Sequence, residues 1–145
     1  MIGVDLSDVM IRRARQEVPR ATFIRADMSA VRFPEAEFAA VVSLYAIIHL
    51  PLAEQRPLFR RVRFWLRPGG WFLAILGAGA YEGWERGWLG SDVDMFWSHA
   101  DPATYRRWLT AAGLEVVEQR FIPEGDGGHE LFLARTLPEA SPTSP

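Results

Sequence analysis

The side chains able to do chemistry in this chain are few, and most follow short apolar runs. Asp5 closes the run Ile2 to Asp5, Asp27 follows Ala21 to Arg25, and Tyr45 and His49 follow Phe38 to Leu44. Histidine occurs three times, at 49, 99 and 129. A carboxylate at a strand end accepts hydrogen bonds from hydroxyl and amine donors, and an imidazole moves protons near neutral pH. Cysteine and lysine are both absent. That excludes disulfides, thiolate nucleophiles, zinc–thiolate sites and lysine-based mechanisms, and no metal site is expected. His49 follows two isoleucines, so it reads either as a core residue or as a proton-transfer group. His99 and His129 flank an aromatic stretch and carry the same two readings.

The elements that must position these groups alternate. The run Phe38 to Leu44, FAAVVSL, is short, apolar and partly β-branched. It predicts a strand buried on both faces, as inside a parallel sheet. Ligands of open parallel sheets sit beyond the carboxyl ends of the strands, so its far end is where chemistry is expected. Ile2 to Asp5 predicts an earlier strand. Ser7 caps a helix after it, with Leu6, Met10, Ala14 and Val18 as its apolar stripe and Pro19 as its end. Ala21 to Arg25 predicts the next strand. Pro57 suits the first turn of a helix carrying Leu58, Val62, Trp65 and Leu66, which Arg67-Pro68-Gly69-Gly70 stops. Trp71 to Leu76 is another apolar strand.

Gly77 to His99 holds Tyr81, Trp84, Trp88, Phe96 and Trp97 among five glycines. It reads as a loop that is either a lid over a substrate pocket or a cover packed on the sheet edge. Asp101 and Pro102 then start a helix with Tyr105, Trp108, Leu109 and Ala112 on its buried face, and Gly113 ends it. Leu114 to Ile122 and Glu130 to Thr136 predict an antiparallel pair around a loop at Pro123 to Gly128. The alternation predicts an α/β fold, with a mostly parallel sheet and a C-terminal antiparallel pair.

The totals agree. A chain of 145 residues, 49% hydrophobic with six Trp and nine Phe, suits one domain with a real core. We expect the domain over 1–137 and a disordered tail over 138–145. A net charge of -2 gives no electrostatic case for nucleic acid or an anionic membrane. No apolar run reaches the roughly 20 residues of a bilayer span, and the start is unlike a signal peptide, so a cytoplasmic location is expected.

Taken in order, several segments resemble the class I S-adenosylmethionine-dependent methyltransferases, especially the small-molecule branch. Gly3-Val4-Asp5-Leu6-Ser7 resembles that family's second strand and its acid. Arg25-Ala26-Asp27-Met28 resembles the acid after the third strand, and Tyr45 to Leu50 the motif after the fourth. Leu66 to Gly70 resembles the turn before the fifth, and Glu124 to His129 the tip of the last hairpin.

The resemblance implies a Rossmann-like sheet and S-adenosylmethionine as cofactor. Asp5 would accept from the two ribose hydroxyls and Asp27 from the adenine amine, with Met28 on the ring; Leu6, Leu44 and Tyr45 would complete the cofactor site. Tyr81, Trp84, His99 and His129 would meet a small-molecule substrate, and His49 is the candidate catalytic residue. Methyl transfer from a sulfonium can run on positioning and electrostatics alone, so a base is not required.

The family opens with a strand and a glycine-rich turn that receives the methionine end of the cofactor. Here the first strand and helix are missing, which is expected to strike the middle of the sheet and impair methyl transfer. Self-association through exposed strand edges is then expected. The rival is a non-catalytic methyltransferase remnant or interaction module. A dinucleotide-binding domain is disfavoured because no G-x-G-x-x-G follows a first strand.

Overall fold

The computed structural model describes residues 1–138. By contacts the chain divides into two compact units, Met1–Phe33 and Pro34–Pro145. The expected tail falls on residues 139–145, outside the described residues, with only Pro138 described.

The first unit is one strand–helix–strand turn: β1 (Ile2–Asp5), α1 (Asp8–Glu17) and β2 (Thr22–Arg25). The two strands are parallel, with Asp5 opposite Arg25. Ser7 caps α1 as the sequence predicts, its Oγ accepting from the Met10 N–H at 3.3 Å. The predicted apolar stripe is displaced. Leu6 and Met10 are 63% and 50% exposed, and Ile11 is the buried residue. The helix begins only at Asp8, so Leu6 lies outside it, and the inward positions are Ile11 and Ala14, three apart on one face.

The second unit holds a four-stranded sheet in the order β3-β4-β8-β7. Its strands are β3 (Phe38–Leu44), β4 (Leu66–Gly77), β7 (Glu115–Glu124) and β8 (Gly127–Arg135). β3 and β4 are parallel, joined through α2 (Leu52–Trp65); β8 runs antiparallel to both β4 and β7. α3 (Pro102–Ala111) starts at Asp101 and Pro102 as predicted, the Asp101 Oδ1 accepting from the Thr104 N–H at 2.9 Å. The core joins Phe59 of α2, Phe72 of β4, Tyr105 of α3 and Phe132 of β8, all fully buried. Their rings contact edge-on or tilted, with centroids 6.1 to 6.3 Å apart for Phe59–Phe72 and Phe59–Tyr105 and 6.2 Å for Tyr105–Phe132. The fold is thus α/β, with parallel strand–helix–strand units and antiparallel C-terminal strands.

Four expectations are corrected. β3 is not buried on both faces: Val42 and Leu44 are 58% and 50% exposed, alternating with half-buried Val41 and Ser43. Among the described strands β3 pairs only with β4, so it is an edge, and burial by a second neighbour is missing. The strand that does behave as a spine is β4, between β3 and β8, with Phe72, Ala74, Ile75 and Leu76 buried.

Second, α2 begins at Leu52, so Pro57 lies inside it and not in its first turn. The early turn is held by the buried Gln55, whose Nε2 donates to the Leu50 carbonyl at 2.7 Å. Third, Arg67 to Gly70 belongs to β4; a register shift between Phe38 and Ala40 and a positive φ of 72° at Gly69 absorb the irregularity. Fourth, the aromatic stretch is not a loop throughout. β5 (Tyr81–Glu85) and β6 (Met95–His99) form an antiparallel hairpin with Trp84 opposite Phe96. Aromatic cross-strand pairs favour pairing despite the glycines.

Candidate functional site

In the first unit, both acids stand at the carboxyl ends of adjacent parallel strands. Asp5 ends β1, and its Oδ1 accepts from the Ser7 N–H at 2.7 Å. Asp27 follows β2, and its Oδ1 accepts from the Ser29 N–H at 2.7 Å. The Ala26 N–H donates to the Asp5 carbonyl at 3.0 Å and Arg25 Nε to the Leu6 carbonyl at 3.2 Å, which ties the two strand exits together. Each acid spends one oxygen on its own turn. The Oδ2 atoms have no hydrogen-bond partner among the described residues. Leu6 is exposed and Met28 half-buried.

In the second unit, Leu44 ends β3 and Tyr45 follows it with a φ of 55°, unusual for a residue with a side chain. The Tyr45 hydroxyl donates to Glu124 Oε1, and that hydrogen bond first, then lost hydration and the carboxylate's charge, pushes its pKa up. His49 closes a 3-10 turn, Ile47–His49; its Nδ1 lies 2.8 Å from the Phe96 carbonyl and its ring 4.7 Å from that of Trp97.

A cleft of about 480 Å³ is lined by Tyr81, Trp84, Glu85, Trp97, His99, Gly128 and His129. The structure thus brings Tyr81, Trp84, His99 and His129 together. Tyr45 and His49 are not among its lining residues: Tyr45 joins through Glu124 and His129, and His49 packs against Trp97. None of the three histidines is fully buried. Gly77, at the carboxyl end of β4, pairs with His129 across the ladder, and a Cβ on it would collide with the His99 ring. Glycine there is what lets the two imidazoles approach the same strand end.

Sequence reasoning missed Glu85, Trp97, Glu124 and Gln55 as site residues. Glu85 Oε2 accepts from Trp97 Nε1 at 3.0 Å. Glu124 Oε2 lies 3.1 Å from His129 Nδ1 across the turn at the tip of β7 and β8. That pair was accessible in principle, since a short hairpin loop brings flanking residues face to face. Gln55 is fully buried, its Nε2 donating to the Ser98 carbonyl at 2.5 Å and its Oε1 accepting from the Tyr105 hydroxyl at 2.8 Å. It fixes β6, and with it Trp97 and His99. Among the described residues, no group of three His, Asp or Glu is placed to hold a metal ion, and no helix is long and apolar enough to cross a membrane.

Residues 1–70 match the family model described as a methyltransferase domain. No curated protein matches the sequence. Many solved structures share the fold. One is an S-adenosylmethionine-dependent methyltransferase from Methanosarcina mazei, at TM-score 0.79 and 16% identity, covering 95% of this chain and 82% of that one. Another, from Mesorhizobium loti, matches at 0.72 and 24%, covering 92% and 79%. A third is the 1,6-didemethyltoxoflavin-N1-methyltransferase of Burkholderia thailandensis, solved with its named substrate and S-adenosylhomocysteine. It matches at 0.72 and 17%, covering 94% of this chain and 60% of that one. Residues 1–70 are thus similar to a methyltransferase domain, and the chain shares the fold of these S-adenosylmethionine-dependent methyltransferases.

Proposed function

We propose that this chain binds S-adenosylmethionine and serves cytoplasmic methyl transfer to a small-molecule acceptor. The observation that carries the reading is the pair Asp5 and Asp27 at neighbouring strand exits, each with one carboxylate oxygen unused by the fold. Those oxygens suit donors: Asp5 the ribose hydroxyls, Asp27 the adenine amine, with Met28 against the ring and Leu6 as a further contact. The cofactor supplies an electrophilic methyl group whose bond to sulfur breaks with its electron pair staying on sulfur. The aromatic cleft of the second unit is the acceptor site, where Tyr81 and Trp84 offer flat faces to a planar molecule.

The residues described here supply acceptors for the nucleoside half and no glycine-rich turn for the methionine half. The expected test is calorimetric titration with S-adenosylhomocysteine. Asp5→Ala and Asp27→Ala should each weaken binding roughly 10- to 100-fold, the worth of a hydrogen bond to a charged group. Binding indifferent to both changes would overturn the assignment.

A second reading, a self-associating module, is favoured by the edge strand β3, which exposes Val42 and Leu44 beside an edge with no strand partner among the described residues.

A further inference from the structure

We propose that His129 is the proton-accepting side chain of the acceptor cleft and that Glu124 positions it; the role in catalysis rests on the methyl-transfer reading above. The three histidines differ in what holds their Nδ1. His49 and His99 meet backbone carbonyls, of Phe96 and Gly79. His129 alone meets a carboxylate, Glu124 Oε2 at 3.1 Å. A carboxylate only accepts, so Nδ1 carries the hydrogen and Nε2 keeps its lone pair. Nε2 has no hydrogen-bond partner among the described residues, and the ring lines the cleft.

The pair is held from several sides. The Tyr45 hydroxyl fixes the other oxygen of Glu124, and the Tyr45 ring meets the His129 ring edge-on at 5.2 Å. Trp97 stands 6.4 Å away, and the His129 side chain is 18% exposed. His49 lacks both features, since it does not line the cleft and has no carboxylate. His99 lines the cleft but rests on a neutral carbonyl.

This arrangement fits an acceptor bearing N–H or O–H. Once such an atom has bonded the methyl carbon through its lone pair, it holds one proton too many. His129 Nε2 takes that proton, the bond to hydrogen breaks with its electrons kept by the acceptor atom, and the imidazolium forms against the Glu124 carboxylate. A carboxylate partner both sets the tautomer and stabilises the charged ring. The acceptor class is accordingly a planar small molecule methylated at nitrogen or oxygen.

The test is the imidazole 15N–1H spectrum of the full chain near neutral pH. His129 is expected as the Nδ1–H tautomer. Glu124→Ala should abolish that preference, leaving the His49 and His99 signals in place as the control for folding. The groups facing His129 are Glu124 from β7, Tyr45 from the exit of β3, and Glu85 and His99 from the hairpin; only the first changes. Carbethoxylation by diethyl pyrocarbonate, read by mass spectrometry, should be fastest at His129. An Nε2–H tautomer in the unsubstituted chain, a preference unchanged by Glu124→Ala, or faster modification of His49 or His99 would each overturn the proposal. The unsubstituted chain decides the matter even where Glu124→Ala does not fold. Affinity of His129→Gln for S-adenosylhomocysteine should equal that of the unsubstituted chain, so failure of the cofactor reading is seen separately, in the Asp5 and Asp27 variants.

Discussion

Tyr105 shows how a single buried hydroxyl shapes both stability and site. Burial, partly offset by backbone hydrogen bonds, pushes its pKa from 10.0 up to about 12. The unfolded chain releases this proton near the ordinary value, while the folded chain keeps it until about 12. The folded state is therefore favoured undiminished below that window and loses ground as pH rises through it, by an amount on the order of 2–3 kcal/mol. Tyr105→Phe should remove this alkaline loss. It should cost about 1–3 kcal/mol near neutral pH, because Gln55 Oε1 loses its donor. Thermal melts of both proteins at neutral and alkaline pH check this, and an alkaline loss that persists in the variant would contradict it. Residues whose role is local were legible in the sequence. Asp5 and Asp101 sit at strand and helix boundaries that neighbouring residues define. Gln55 was not, because its partners Ser98 and Tyr105 arrive through strand placement and helix packing.

At the scale of elements, β4 carries the second unit. Phe72, fully buried on it, touches Phe59, and its strand pairs on both edges. Phe72→Ala should cost about 3–5 kcal/mol in denaturant unfolding, the range for emptying a packed aromatic site; a cost under one would mean the core is not centred there. β3 makes the opposite forecast. Val42 is exposed on an edge strand, so Val42→Lys should leave stability nearly unchanged and reduce any self-association measured by sedimentation. Unaltered association would exonerate that edge. The strand's existence was readable from FAAVVSL, but its burial was not, since burial depends on neighbours the run itself does not encode. The hairpin of β5 and β6 escaped for a related reason: Gly79, Gly83, Gly87 and Gly90 mask a pairing that the aromatics Trp84 and Phe96 provide.

At the scale of the whole molecule, the α/β class followed from the alternation of strands and helices. The division of the parallel strands into two sheets lies in pairing, which composition and periodicity do not report. Asp5 and Asp27 are proposed to hold a nucleoside. Saturation-transfer difference NMR with S-adenosylhomocysteine tests it most directly, because it detects weak binding and reports which ligand protons touch the protein. Strong transfer to the ribose and adenine protons, weak transfer to the methionine chain, and loss of both in the Asp5→Ala/Asp27→Ala double variant are the predicted result. Equal transfer in the double variant, or none to the nucleoside protons of the unsubstituted chain, would contradict it.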